Sequence, residues 1–244
     1  MPDDLFVSAA GASARLRQLE VVANNLANAN TIGYKRDHTV FSAMVEAQIR
    51  SGESPAAGAN ALAFVDLGDV SIDTQAGTIS ATGAPLDVAI QGEGYFEILG
   101  PEGPRYTRAG SFVVGPNRTL VTKQGMPVAG DGGPLEVGDR PVSIVSSGEI
   151  VDDQGQTLGR LKLVDVDPRG LVKEGANLFR AHPDADVREL DTIALAERSI
   201  EGSNVQSVRA LAELMMIQRS FEASLQTLQA SDGATQSLLR EISQ

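Results

Sequence analysis

Cysteine is absent from this chain, which excludes disulfides, thiolate zinc sites and cysteine nucleophiles together. Tryptophan is absent as well and aromatics make up only 4% of residues, so a core must rest on Leu, Ile, Val and Ala. The two histidines, His38 and His182, lie far apart with no acidic or serine pattern around them. Positive charge is also short: 20 basic residues face 32 acidic ones, for a net charge of −12. No basic stripe runs through the chain, and neutralising phosphates requires clustered Lys and Arg, so nucleic acid is not an expected partner. No apolar run approaches the length that crosses a bilayer, so no membrane-spanning helix is expected. The start, Met1-Pro2-Asp3-Asp4, is acidic and lacks the basic and apolar regions of a secretory signal. The protein is expected to be cytoplasmic or to leave the cell without a cleaved signal peptide.

Glycine and proline are nearly missing from both ends. Of 25 glycines and 11 prolines, 21 and 10 lie between residues 37 and 198. That middle also carries 13 basic and 24 acidic residues, so almost all of the net charge sits there and keeps it solvated. At the N-terminal end Leu5, Ala12, Leu19 and Leu26 recur at sevens, with Ala9, Leu16, Ala23 and Asn30 four residues after each. This is a heptad seam over about three repeats, and its alanines permit close helix approach. At the C-terminal end Leu214, Phe221, Leu228 and Ile242 fall on the same interval, with Thr235 in the remaining slot. Leu211, Leu225 and Leu239 take the companion positions, with Gln218 and Asp232 as polar interruptions. Ser203 or Asn204 is placed to cap that second helix. Neither seam can be buried by its own helix alone, so the ends are expected to pair with each other and with further copies. An ordinary amphipathic helix on a globular core is the plainer alternative for each.

Between the ends, short apolar runs alternate with turn chemistry. Leu86–Ile90, Tyr95–Leu99, Ser111–Val114, Leu120–Thr122, Val142–Val145, Leu158–Val166 and Leu171–Val172 read as strands. Gly100–Pro104, Gly115–Asn117, Lys123–Gly125, Asp152–Gly155 and Asp167–Gly170 read as the turns between them. The expected fold is α+β: N- and C-terminal helices form a coiled-coil-like core domain, with an antiparallel β-rich domain inserted between them. The expected divisions are 1–36 (core helix), 37–75 (linker), 76–195 (β-rich) and 196–244 (core helix).

Catalytic patterns fail one by one. Gly92-Glu93-Gly94 opens like a nucleotide loop, but Glu97 replaces the third glycine and no long helix follows. Asp165, Asp167 and Gly170 begin like a calcium loop, but Arg169 and Ala176 occupy ligand positions, so a proline-containing hairpin turn is expected instead. Asp152 and Asp153 are the nearest thing to a glycosidase acid pair, and they read as solvated turn carboxylates. No enzyme, cofactor or metal site is expected. An adaptor for other proteins would leave the β-rich region without a use.

Three stretches carry a resemblance. Val22-Ala-Asn-Asn-Leu-Ala-Asn-Ala-Asn-Thr-Ile-Gly-Tyr-Lys-Arg36 is similar to the N-terminal signature of the bacterial flagellar axial proteins, those of the rod, hook and hook–filament junction. Leu86–Phe96 with Tyr106–Phe112 resembles the β-domain core of the hook and larger rod proteins, and Glu201-Gly-Ser-Asn-Val205 with Gln218–Glu222 resembles their C-terminal segment. The resemblance implies a subunit of the flagellar basal body, whose terminal helices line the axis of a tubular assembly while the β domain forms its wall. It implies as partners other copies of the chain, other rod subunits (the distal rod protein among them) and the flagellar export apparatus. The residues expected at subunit interfaces are Leu5, Ala12, Leu16, Leu19, Leu26, Asn24, Asn25, Asn28, Leu211, Leu214, Phe221, Leu225, Leu228 and Leu239.

Overall fold

A computed structural model describes residues 2–43, 65–190 and 194–242. It is α+β, with one long helix near each end and a β-rich middle. The chain divides into two compact units: residues 1–27, 37–71 and 206–244 form a helical unit, and residues 28–36 and 72–205 form a middle unit.

In the helical unit the N-terminal helix spans Pro2–Ala27 and the C-terminal helix spans Ser207–Ile242. The two pack along each other. The strands Asp37–Ala43 and Val65–Ile72 pair as a two-stranded ribbon.

The middle unit is built on a six-stranded antiparallel sheet. Its order is Leu171–Gly175, Leu178–Ala181, Gly103–Thr107, Tyr95–Gly100, Leu163–Val166, Val187–Glu189. A three-stranded sheet joins Val142–Ile144, Glu149–Asp152 and Thr157–Arg160. Two strand pairs bring the C-terminal part of the unit back to its beginning: Leu195–Glu197 lies against Val88–Ile90, and Ser199–Glu201 against Ile79–Ala81. The larger core gathers Phe96, Ile98, Leu120, Val128, Ile150 and Leu163, and a smaller one lies around Tyr95, Tyr106 and Phe179. Phe96 meets Phe112 edge to face at 5.2 Å, an arrangement that aromatic quadrupoles favour.

Several local expectations change. Leu158–Val166 is two strands in different sheets, Thr157–Arg160 and Leu163–Val166. The Asp167–Gly170 turn is a 3-10 turn over Pro168–Gly170, not a hairpin, because the strands on either side of it are not neighbours in the six-stranded sheet. The Asp167 carboxylate accepts from the Arg169 N–H at 2.9 Å and caps that turn. Asp152 is buried, not solvated, for it accepts from the backbone of Gln154 and Gln156 within its own turn.

Candidate functional site: a buried ionic clasp and two helical faces

Each helix presents two kinds of apolar position. In the N-terminal helix Ala12, Ala14, Val22 and Asn25 are buried, Leu19 and Leu26 half-buried, and Leu16 and Asn24 exposed. In the C-terminal helix Ala210 and Ile217 are buried, with Leu214 and Phe221 half-buried beside them. These four fall at helical spacing on one stripe. Val208, Leu211, Met215 and Leu225 fall on a neighbouring arc of roughly 100°, and all four are exposed, Val208 at 85%. Leu5, Leu228 and Leu239 lie outside the residues whose side chains are described.

The asparagines act largely within the chain. Asn25 donates to the Asp37 carbonyl at 2.8 Å, and its amide oxygen accepts the Asp37 N–H at 2.9 Å. Asn28 accepts from the Thr31 hydroxyl at 3.1 Å, and its carbonyl takes the Thr31 N–H, which closes the turn after the helix. Asn204 does not cap the C-terminal helix. That helix begins at Ser207, and Gln206 offers the carbonyl that receives the Ala210 N–H.

Glu201 is the centre of the middle unit's charge. Its side chain is 1% exposed, as is that of Lys35, whose Nζ donates to Glu201 Oε1 at 2.6 Å and to the Gln75 carbonyl at 2.8 Å. The Gly77 N–H donates to the same carboxylate oxygen at 2.9 Å. Arg108 approaches the other oxygen at 3.4 Å, donates to the Gly92 carbonyl at 2.7 Å and lies over the Tyr95 ring. Burial pushes the Lys35 ammonium below the usual lysine range, against the pull of Glu201. Burial likewise raises the Tyr95 hydroxyl above its ordinary value. A lysine and a glutamate are found this deep only when paired, since either charge alone would lack compensation for lost water.

Around this pair the stretch 31–36 is held on all sides. Lys173 Nζ donates to the Lys35 carbonyl at 2.5 Å and sits 4.3 Å from the centre of the Tyr34 ring. Asn177 donates to the Ile32 carbonyl, and the Gly33 N–H to the Glu201 carbonyl, each at 2.8 Å. Asn204 accepts the Arg36 N–H at 2.7 Å and donates to the carbonyls of Asp73 and Gln75 at 2.9 and 3.2 Å. Arg36 and Asp73 pair at 2.7 Å. Sequence reasoning missed this constellation. Its only local signal was that Lys35, Arg108 and Glu201 each stand inside a stretch singled out for its motif.

The middle unit also has a cavity of about 690 Å³, bordered by Glu93, Asp165, Asp167, Asp186, Arg108 and Arg188. Among the described residues no group of three or more His, Asp or Glu is arranged to hold a metal ion. No described helix is long and apolar enough to cross a membrane.

Comparison with known proteins completes the picture. Residues 5–35 match the flagella basal body rod protein family, residues 89–173 the flagellar hook protein FlgE/F/G D1 domain, and residues 196–241 the flagellar basal body rod FlgEFG protein C-terminal family. The flagellar basal-body rod protein FlgF of Caulobacter vibrioides is 34% identical, over 91% of each chain. FlgF of Mesorhizobium japonicum is 33% identical over 98% of each chain. The rod protein FlgG of Bacillus subtilis is 34% identical over 91% of this chain and 92% of its own. Lys35, Arg108 and Glu201 come one each from the three matched segments.

Proposed function

Because this chain belongs to the FlgF/FlgG family of flagellar basal-body rod proteins, which are structural proteins and not enzymes, we propose that it is a rod subunit that polymerises helically through its terminal helices and carries torque from motor to hook. On this reading it reaches the envelope through the flagellar export apparatus. Its partners are further copies of itself and other rod subunits. The observation that carries the reading is the exposed apolar arc Val208, Leu211, Met215 and Leu225, beside the stripe that packs in the chain itself. Water disfavours such an arc on a lone subunit, and a helical polymer covers it.

Of the two rod types we favour the proximal one, FlgF. We rest this on the stretch Pro127-Val-Ala-Gly-Asp-Gly-Gly-Pro134, which we read as more like FlgF than FlgG. Expression in strains lacking one or the other tests this, with rescue expected only where FlgF is missing.

Leu211→Asp and Leu225→Asp test the assembly reading. An unpaired carboxylate in a packed seam costs on the order of several kcal/mol. Each variant is expected to lose assembly and swimming while the circular dichroism of its β-rich unit stays unchanged. Normal motility of both would end the proposal.

A further inference from the structure

Residues 28–36 close the axial-protein signature, and such a stretch invites the reading that it touches neighbouring subunits. Its polar groups point elsewhere. The Ile32 and Lys35 carbonyls, the Gly33 and Arg36 N–H groups and the Lys35 ammonium all find partners inside the middle unit. Gly33, Tyr34 and Lys35 are buried, the last two at 5% and 1% exposure, so these three offer a second chain little to grip, whereas Asn30 is exposed.

We propose that Glu201 and Asn204 form a clasp that seats the signature segment in its own chain, with Lys35 and Arg108 as its buried cations. Glu201 fixes the middle of the segment and Asn204 its end. The chain passes between its two units at 27/28, 36/37, 71/72 and 205/206. Asn204 bonds Arg36 and Asp73, so one side chain ties residues beside three of these four passages. Lys35 and Glu201 stand 166 residues apart in sequence. A subunit therefore has a seated signature only when Ser199–Glu201 has paired with Ile79–Ala81. The rod reading gives this a use: incomplete or unfolded subunits offer an unseated segment to the polymer. That use rests on the proposed function; the clasp itself does not.

Glu201 has Lys35, Gly77 and Arg108 as partners, whereas loss of Lys35 still leaves the carboxylate with two. Glu201→Gln should therefore loosen the segment more than Lys35→Met, since it strands two cations in a dry site. The experiment is amide hydrogen exchange, residue by residue, on the full-length monomer, with the strand Tyr95–Gly100 as internal reference. Glu201→Gln is expected to speed exchange at Gly77 and across 31–36 at least tenfold, and Lys35→Met by less, with the reference unchanged. Asn204→Ala removes no charge and guards against outright unfolding of the first variant. It should speed exchange at Arg36 at least tenfold, with the reference unchanged. Wild-type exchange at Arg36 in Asn204→Ala, or across 31–36 in a folded Glu201→Gln, would overturn the clasp. Because no polymer is needed, the result stands apart from whether the rod reading holds.

Discussion

Gly33 shows how narrowly a single position can be set. Its φ is +68°, and a Cβ there would overlap the backbone of Arg108 and Ala109. Gly33→Ala therefore meets both left-handed strain and a backbone that cannot step aside. We expect a loss of about 1–3 kcal/mol, read as a lower denaturant midpoint. Asp152 gives a second prediction at this scale. The Gln156 and Gln154 N–H groups and Arg140 hold its carboxyl below the ordinary value of 3.8. In the unfolded chain it takes up a proton near that value, and in the folded chain only at lower pH. The stabilisation is thus complete above the unfolded value and is lost as pH falls through the folded one. Thermal unfolding followed from about pH 5 to about pH 2 should show a shallower acid decline for Asp152→Asn than for the wild type. An unchanged slope would remove Asp152 as a source of acid sensitivity.

At the scale of elements, legibility follows how local the cause is. The two helices were readable because their apolar period and their lack of proline are properties of one stretch. Their lengths, 26 and 36 residues, follow from the same pattern. Leu120–Thr122 was readable for a similar reason, lying between two turn signals and buried on both faces. Leu195–Glu197 and Ser199–Glu201 were not, since neither alternates strongly and each is made a strand by a partner more than 100 residues away. The clasp was hidden by the same distance. A lone Lys35 or Glu201 reads as a surface charge, and only the fold reveals that each is the other's counter-ion. The 3-10 turn after Val166 offers an element-scale check. Asp167 accepts the Arg169 N–H as its cap. Asp167→Ala should cost about 1 kcal/mol, while Asp167→Asn, which keeps the acceptor, should cost a few tenths at most. Equal losses in chemical denaturation would show that charge, not capping, is what matters there.

At the scale of the whole molecule the two units differ in how much they bury. The middle unit closes over Phe96, Ile98, Leu120, Ile150 and Leu163, each no more than 1% exposed. Among the described residues the helices bury mainly Ala12, Ala14, Val22, Ala210 and Ile217, while Leu16, Leu211, Met215, Met216 and Leu225 stay in water. Small side chains allow close approach but remove little apolar surface, and ordering a backbone costs about 1–2 kcal/mol per residue. The helical unit is therefore expected to be fully ordered only when other subunits cover its exposed arc. In dilute monomer, amides across 5–30 and 211–242 should exchange within minutes while those of Tyr95–Gly100 and Leu163–Val166 remain protected. In the assembled state the helical amides should become as slow as the core. The monomer must be shown to be monodisperse, since even a minor oligomer would protect the helices. Uniformly slow exchange of both helices in such a sample would mean that the pair is self-sufficient, and the exposed arc would then lose its role as the driving force for assembly.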